Sequence, residues 1–258
     1  MKFFSVIFFF FFFFFFCTIS AQKNLPFDTL KLREVDDFFA DDYGNIYLYK
    51  NKNFSLTKYD SLGKQKGRIM LTQPFKIQSV QNLLNIPAFS ENNQELKFYD
   101  QNLNEIQAFG FRQKFGFIKM AYAEDLQQIW LLDESSKRLI QYNFREDKII
   151  NSYPLDINFE PVKDILVYKE RIYLLTDTNF SVCNFKGQKL FEHPLDKGKR
   201  LRRENDIIFI TTNTRILKFE NDMLQTVFGT ENSKIVDKNS DSCFELKAGK
   251  LYLYQLKK

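Results

Sequence analysis

His193 is the only histidine among the 258 residues, and this restricts the chemistry that the chain could perform. Histidine clusters that hold zinc and His-dependent nucleophilic triads both need imidazoles placed beside other reactive groups. His193 precedes Pro194 in a predicted connection between repeats, so we expect it in a surface loop. The sequence carries no cofactor motif, so we expect no cofactor. We favour a protein that is not an enzyme.

A series of basic residues recurs in the chain at similar distances before a repeated aromatic residue. The distances are 23, 23, 22, 19 and 20 residues, for Lys76, Lys119, Lys163, Arg200 and Lys234. Asp36 takes the corresponding place before the first aromatic residue. If the repeats form a ring, these side chains surround one mouth of its channel and form a funnel for an anionic ligand. The alternative is a set of solvated strand ends, since Lys and Arg supply 37 of the 258 residues.

Carboxylates are a weaker set of candidates. A calcium-dependent site would need several oxygen ligands that converge, and only Asp36 and Asp164 occupy comparable positions in the repeats. Asp41 and Asp42 lie in a predicted turn, where aspartate is a common turn former. We therefore expect no metal site. The remaining acidic candidates are Asp37 and Asp206.

Two further segments could contact a ligand. The basic run 197–203 is predicted to connect the fourth repeat to the fifth, either as a solvated loop or as part of the anion site. The segment 109–117 connects the second repeat to the third and contains Phe111 and Phe115. These rings could stack on a sugar or anchor a partner, or they could pack between the repeats.

A strand signature positions all these residues. An apolar residue, two spacers and an aromatic residue recur six times, ending at Tyr59, Tyr99, Tyr142, Phe185, Phe219 and Tyr254. The successive spacings are 40, 43, 43, 34 and 35 residues, and each period divides into about four short strands. Such periods are typical of a β-propeller. The pattern predicts an all-β, six-bladed β-propeller with four-stranded antiparallel blades. Pro87 indicates a bulge or a short strand in the second blade.

The end of the chain indicates how the ring closes. The sixth copy leaves no residues for an outer strand after Lys258, and the alternating segment Thr29–Arg33 is predicted to supply that strand. The repeats also place Cys183 and Cys243 in the fourth and sixth copies, with a whole blade between them. We therefore expect two buried free thiols and no disulfide.

One repeat resembles those of the NHL-type and related six-bladed propellers. The residues that carry the resemblance are Asp42-Tyr43-Gly44-Asn45-Ile46-Tyr47, followed by Leu56, Tyr59-Asp60 and Gly63. Other copies keep only parts of the pattern, such as Tyr99-Asp100. The resemblance implies an architecture and no particular activity, because such propellers bind proteins, RNA, sugars or small molecules and some are enzymes.

The first 21 residues have the layout of a secretory signal peptide. Lys2 precedes a phenylalanine-rich run to Cys17, and Ser20-Ala21 provides a cleavage site. The alternative is an uncleaved anchor, but the run is shorter than the roughly 20 residues that span a bilayer. Cleavage leaves residues 22–258 as one domain and lowers the net charge from +5 to +4 by removing Lys2. So mild a charge does not predict nucleic-acid binding.

These observations lead to one principal expectation about function. We expect a secreted, periplasmic or cell-surface propeller, monomeric and without a membrane span after cleavage, that presents a face of loops to a protein or glycan partner. The alternative is a hydrolase or lyase that acts on an anionic small molecule or a saccharide in the channel. The ligand-binding candidates are Lys76, Lys119, Lys163, Arg200, Lys234, Phe111 and Phe115.

Overall fold

Six four-stranded antiparallel sheets form a ring in the computed structural model, which describes residues 23–25, 27 and 32–256. Each of the first five blades uses four consecutive strands, ordered from the channel outward. In blade 1 these are β2 Asp37–Ala40, β3 Ile46–Lys50, β4 Ser55–Tyr59 and β5 Gln65–Met70. A 3₁₀ turn, Asn51–Asn53, joins β3 to β4.

The next two blades follow the same order. Blade 2 contains β6 Lys76–Ile77, β7 Ile86–Ser90, β8 Glu95–Tyr99 and β9 Glu105–Gly110. Blade 3 contains β10 Ile118–Ala123, β11 Gln128–Asp133, β12 Arg138–Asn143 and β13 Lys148–Pro154. Pro87 lies within β7, whose pairing with β8 is regular, so the predicted bulge is wrong there. The short strand is β6, the inner neighbour of β7.

Blades 4, 5 and 6 complete the ring. Blade 4 contains β14 Asp164–Tyr168, β15 Arg171–Leu175, β16 Asn179–Asn184 and β17 Lys189–Pro194. Blade 5 contains β18 Gly198–Glu204, β19 Ile207–Thr212, β20 Arg215–Glu220 and β21 Met223–Gly229. Blade 6 contains β22 Ile235–Lys238, β23 Ser242–Lys247 and β24 Lys250–Gln255, with β1 Lys23–Asn24 as its outer strand.

An N-terminal strand closes the last blade, as predicted, but the residues that form it differ from the prediction. Lys23 and Asn24 pair with Leu253 and Tyr252. The predicted strand Thr29–Arg33 is wrong in position: Leu32 and Arg33 are helical, and residues 29–31 lie outside the described residues. Alternation alone does not distinguish two neighbouring segments that could both reach the open edge of β24.

Blades 1 and 6 are also joined through polar contacts at the closure. Ala40 N donates to Asp237 Oδ2 over 2.9 Å, and Ser240 N donates to Asp42 Oδ1 over 2.8 Å. Asp41 shapes the β2–β3 turn by accepting from Tyr43 N and Asn45 N, while Gly44 has a φ of +81°. These two hydrogen bonds confirm the predicted role of Asp41 in a turn. Gly44 completes the turn, because a glycine adopts positive φ without steric cost.

The apolar core lies between the faces of neighbouring blades. The repeated aromatic residues belong to it or border it, for example Phe219, whose ring meets that of Phe180 at 5.2 Å in an edge-to-face arrangement. Such pairs add about 0.5–1.5 kcal/mol to the burial of the rings. The sequence signature therefore marks residues that hold adjacent blades together. Because apolar packing is placed between blades, the inner strands can carry polar side chains toward the channel.

Candidate ligand site at the central channel

The inner strands of all six blades run in the same sense, so the channel has two chemically different mouths. The lower mouth is formed by the residues at the starts of β2, β6, β10, β14, β18 and β22. The upper mouth is formed by the ends of these strands and the turns that follow them. The five predicted cations lie at or beside the starts of inner strands.

Two of the predicted cations bridge the channel itself. Lys76 of blade 2 lies 2.8 Å from Asp164 Oδ1 of blade 4, and its ammonium also donates to the carbonyl oxygen of Lys163. Arg200 of blade 5 bonds Asp37 of blade 1. Each pair joins blades that are two positions apart in the ring. We call these four residues, Lys76, Asp164, Arg200 and Asp37, the ion-pair bridge.

Further groups surround the ion-pair bridge. Lys199 Nζ lies 3.0 Å from Asp37 Oδ1, and Arg200 Nη1 lies 3.7 Å from Asp237 Oδ2. The guanidinium of Arg200 covers the ring of Phe39 at 4.0 Å, and only 5% of Arg200 is exposed. Arg200 Nη1 has no hydrogen-bond partner among the described residues. Positive and negative groups therefore compensate one another at the centre of the channel.

Burial dominates the protonation equilibria in this region. It lowers the pKa of Lys76 and of Lys199, although Asp164 and Asp37 respectively oppose the effect. Burial likewise raises the pKa of Asp237, and the nearby Arg200 and Arg202 only partly counteract it. Each shift has the sign expected for a charged group removed from water.

The other three predicted cations do not reach the centre of the channel. Lys163 pairs with Asp177, and Lys119 Nζ lies 3.0 Å from Glu91 Oε1 across the seam between blades 3 and 2. Lys234 donates to the carbonyl oxygen of Val35. Each of the five cations thus has an acceptor within the protein, and an anionic ligand would have to compete with it. The predicted role of these residues in ligand binding stays a prediction.

Phe111 is not the exposed aromatic residue that a stacking site requires. It is 1% exposed and its ring meets that of Phe89, with centroids 6.2 Å apart. Phe115 is partly buried and packs edge-to-face on Tyr142 at 5.1 Å. Of the two roles open to these residues, packing between blades is the one that their contacts support.

The basic run 197–203 is not a loop between blades, because residues 198–204 form the inner strand β18. Arg202 is buried there: its guanidinium donates to Glu204 over 2.6 Å and to the Lys238 carbonyl oxygen over 2.7 Å. Lys238, 1% exposed, pairs with the same Glu204 carboxylate and lies 4.1 Å from the centroid of the Phe209 ring. Paired carboxylates and carbonyl oxygens make a basic strand compatible with burial.

The remaining sequence candidates lie apart from the channel or are inert. His193 is exposed, as predicted, although it belongs to the outer strand β17 and not to a loop. Cys183 and Cys243 are free and buried, which confirms the prediction, and burial raises the pKa of Cys243 to about 12. Asp206 accepts from Lys169 Nζ over 2.8 Å at the surface. Across the part of the chain that the structure describes, no group of three or more potential metal ligands is found.

A cavity lies on each side of the ion-pair bridge. The upper cavity has a volume of about 260 Å³ and opens at the upper mouth, with Asp164 in its lining. The lower cavity has a volume of about 230 Å³, with Lys76 and Arg200 in its lining. The Lys76–Asp164 pair therefore separates the two cavities.

The sequence did not identify the lining of the upper cavity. Gln78 and Tyr122 lie on or directly after inner strands, and Asn85 precedes β7. Gln78 and Tyr122 lie 21 and 20 residues before Tyr99 and Tyr142, which is the position of the basic series shifted by two or three residues toward the upper mouth. Because these residues are uncharged, they did not form part of the basic series that the sequence indicated.

Comparison with known proteins identifies the fold. No protein-family model matches the chain, and neither does any curated protein. A structure of streptogramin B lyase is 11% identical, with 92% of this chain and 98% of that chain covered and a TM-score of 0.55. A catalytically inactive histidine-to-alanine variant of virginiamycin B lyase from Staphylococcus aureus, with quinupristin, is 8% identical, with 86% and 80% covered and a TM-score of 0.51.

A third similar structure is much longer than this chain. PorZ, a bacterial surface component of the type IX secretion system of Porphyromonas gingivalis, is 14% identical with a TM-score of 0.55. The match covers 90% of this chain and 32% of PorZ. Identities this low indicate a common architecture only. In the described ranges 23–25, 27 and 32–256, no helix combines the length and hydropathy of a membrane span. The chain is a six-bladed β-propeller, as its repeats predicted.

Proposed function

We propose that this protein is an exported, non-enzymatic binding propeller that holds a protein partner against its upper face. The upper face is the surface formed by the turns after the inner strands and the turns between the third and outer strands. The observation that carries the proposal is the position of the most exposed large apolar side chains. Leu62, Tyr43 and Leu84 are 78%, 75% and 70% exposed, more than any other large apolar residue described.

These three residues occupy neighbouring turns of blades 1 and 2. Tyr43 lies between β2 and β3, Leu62 between β4 and β5, and Leu84 between β6 and β7. The first two turns are adjacent, since a Cβ built on Gly44 would lie 3.9 Å from Ser61 Cβ. Single exposed apolar residues are common, but several on adjacent turns of one face favour a protein-interaction site. Tyrosine is also among the residue types that are enriched in protein interfaces.

The alternative of a channel enzyme has less support. A hydrolase or lyase would need reactive groups that converge on an accessible cavity. Here the acids and bases nearest the channel centre are engaged with one another in the ion-pair bridge. One of the similar lyases is described as inactive after the loss of a histidine. The only histidine of this chain is on an outer strand.

Export is part of the proposal and rests on the sequence. The predicted signal peptide, residues 1–21, and the start of the domain at residue 22 lie outside the described residues. The similar PorZ is described as a bacterial surface component, which is consistent with a propeller outside the cytoplasm. We propose a periplasmic, cell-surface or secreted monomer with no role in nucleic-acid binding.

Site-specific photo-crosslinking in the native envelope tests the partner surface. A photoreactive phenylalanine analogue at position 43 or 62 is expected to form one discrete adduct with another protein. The same analogue at Met223 or Leu190, which are at least half exposed on outer strands, is the matched control and should form no such adduct. The triple variant Tyr43→Ser, Leu62→Ser, Leu84→Ser should abolish co-purification of the crosslinked protein. Equal crosslinking from both sets of positions, or from neither, would refute the proposal.

A further inference from the structure

We propose that the upper cavity is a binding site for a neutral saccharide. This proposal goes beyond a protein partner. The β6–β7 turn borders both sites, since Leu84 lies beside Asn85, but Tyr43 and Leu62 lie on turns of blade 1 that do not line the cavity. Small-molecule sites in proteins are concave, with a few convergent polar groups, and the mouths of β-barrels are among the places where they occur. The volume of about 260 Å³ is just below the usual range of roughly 300–1,000 Å³ and suits a ligand of one or two sugar rings.

The wall formed by blade 2 consists of uncharged amides. Gln78, Gln81, Asn82 and Asn85 all line the cavity, beside Ser79. A carboxamide presents two donors and an acceptor, and a sugar hydroxyl presents one donor and two lone pairs. A wall of amides and a ring of hydroxyls can therefore bond each other at several points without any net charge.

Existing hydrogen bonds fix the orientation of two of these amides. Gln78 Oε1 accepts from Ala123 N over 3.0 Å, which leaves Nε2 as the donor of that side chain. Gln81 Nε2 donates to the Arg203 carbonyl oxygen over 3.1 Å. The first bond joins the neighbouring blades 2 and 3, and the second joins blade 2 to blade 5, so both amides are held in place before a ligand arrives. Such preorganisation reduces the entropic cost of binding.

Asn85, in the wall of the upper cavity, has a buried acceptor without a partner among the described residues. The residue is 7% exposed, and the acceptor is its Oδ1. An unsatisfied buried acceptor is destabilising, and native structures contain few of them. The oxygen and nitrogen of a carboxamide are similar in size, so a half-turn of the amide exchanges them at little steric cost. A ligand hydroxyl in the cavity would then satisfy the acceptor.

Blade 3 supplies an aromatic residue that stays neutral. Tyr122 lines the cavity and packs against two hydrophobic clusters, one of which lies between blades 4 and 5. Burial raises the pKa of Tyr122 to about 12, so its hydroxyl remains both a donor and an acceptor at neutral pH. A tyrosine held in this way offers an apolar ring and a polar tip to the same ligand.

The charged residues of the lining are already engaged, which disfavours a charged ligand. Asp164 pairs with Lys76, and Arg202 donates to Glu204. The guanidinium of Arg203 covers the Tyr168 ring at 4.4 Å, and Glu124 Oε2 accepts from Trp130 Nε1 over 2.7 Å. Asp125, the remaining charged residue of the lining, accepts from Gln127 N and Gln128 N, each over 2.7 Å. The lining therefore holds three acids and two bases, which disfavours an anion. A neutral ligand rich in hydroxyl groups matches it better than a phosphate or a carboxylate.

The contact between Glu124 and Trp130 provides an internal reporter, because Trp130 is the only tryptophan in the chain. We would titrate residues 22–258 with maltose, cellobiose, lactose and N,N′-diacetylchitobiose, following Trp130 emission and saturation-transfer NMR. At least one disaccharide is expected to bind in the millimolar range or tighter. Asn85→Leu and the more conservative Tyr122→Phe should each weaken that binding about three- to tenfold, the value of one lost hydrogen bond. Asn213→Ala, at the lower mouth, is the matched control and should leave it unchanged.

Three results would overturn the proposal. The first is the absence of any saturation transfer or emission change with all four disaccharides. The second is binding that Asn85→Leu and Tyr122→Phe leave unchanged while both variants retain the wild-type fold. The third is displacement of every response by triglycine, which would assign the amide wall to a peptide segment. The crosslinking result is distinguishable from this one, because the crosslinking positions 43 and 62 do not line the cavity.

Discussion

Loss of the Lys76 ammonium should destabilise the ring more than loss of any rim cation at the same mouth. In Lys76→Met, the Asp164 carboxylate, whose side chain is 6% exposed, loses its charged partner at 2.8 Å. Removing one member of a buried ion pair costs about 3–5 kcal/mol. We expect the lower end of this energy range for two reasons. The Lys76 side chain is 26% exposed, and the Asp164 carboxylate still accepts a hydrogen bond from Leu201 N over 2.7 Å. We therefore expect a loss of about 3 kcal/mol in the free energy of unfolding.

A double-mutant cycle separates the pair from its members. Asp164→Asn should cost about 2 kcal/mol, because Lys76 loses its counter-ion and one acceptor becomes a donor. In the double variant, the carboxamide that replaces the Asp164 carboxylate can still accept from Leu201 N, and no buried charge is left unpaired. We expect the double variant to lose only about 3 kcal/mol, which gives a coupling energy of about 2 kcal/mol.

Urea unfolding followed by Trp130 emission measures these differences, with Lys163→Met as the matched control. Lys163 belongs to the same mouth and pairs with Asp177, but the two side chains are about half exposed. Exposed pairs contribute about 0–1 kcal/mol. If Lys76→Met cost no more than Lys163→Met, or if the effects of Lys76→Met and Asp164→Asn simply added, the Lys76–Asp164 pair would not hold blades 2 and 4 together and the reasoning would be refuted.

Two further predictions concern pH. Burial alone raises the pKa of Glu245, but hydrogen bonds from Tyr254, Ser233 and Thr230 outweigh it and hold the pKa below its ordinary value. Its contribution is therefore present above the unfolded pKa and lost as pH falls, so Glu245→Gln should cost about 2 kcal/mol at pH 7 and less in acid. Thermal unfolding from pH 3 to pH 7 checks this, and a pH-independent difference would contradict it. For Asp237, whose pKa burial raises, stability is present below the unfolded pKa and lost as pH rises. Asp237→Asn should therefore gain Tm relative to the wild type as pH rises, and a relative loss over the same series would contradict this.

The sequence was sufficient for the architecture because the repeat is written in apolar residues. Leu56 and Tyr59 of the first copy are buried between blades, and the signature places apolar and aromatic residues at the corresponding positions of the other copies. The need to bury apolar side chains therefore recurs at each period. The identity of the closing strand was not predictable in the same way. Lys23–Asn24 and Thr29–Arg33 both precede blade 1, and the choice between them depends on which segment reaches the free edge of β24. The distance from each segment to the edge of β24 is set only once the ring has closed.

The register predicted where the cations lie but not what they contact. Lys76 and Lys163 occupy equivalent sequence positions, yet Lys76 crosses the channel to Asp164 while Lys163 turns to Asp177 at the rim. The acceptors come from blades two positions away or from the neighbouring strand, and no local pattern encodes them. The interpretation of 197–203 as a solvated loop was wrong for the same reason. One compensating group, Glu204, follows Arg202 by two residues on β18, but the Lys238 carbonyl oxygen is brought near only by the fold.

The two mouths of the channel differ because the charged side chains of the lower mouth are paired with one another in the ion-pair bridge. At the lower mouth, carboxylates neutralise the cations that the sequence placed there, so an anion entering it meets no unpaired positive side chain at the centre. At the upper mouth, the amides of blade 2 and the hydroxyl of Tyr122 remain available, and Asn85 still lacks a partner among the described residues. Arg200 Nη1 at the lower mouth also lacks a hydrogen bond within the described ranges, but it lies 3.7 Å from the Asp237 carboxylate, whereas Asn85 Oδ1 is an uncharged acceptor beside the upper cavity. The residues with no charge, which the sequence pattern passed over, are therefore the ones that the channel offers to a ligand.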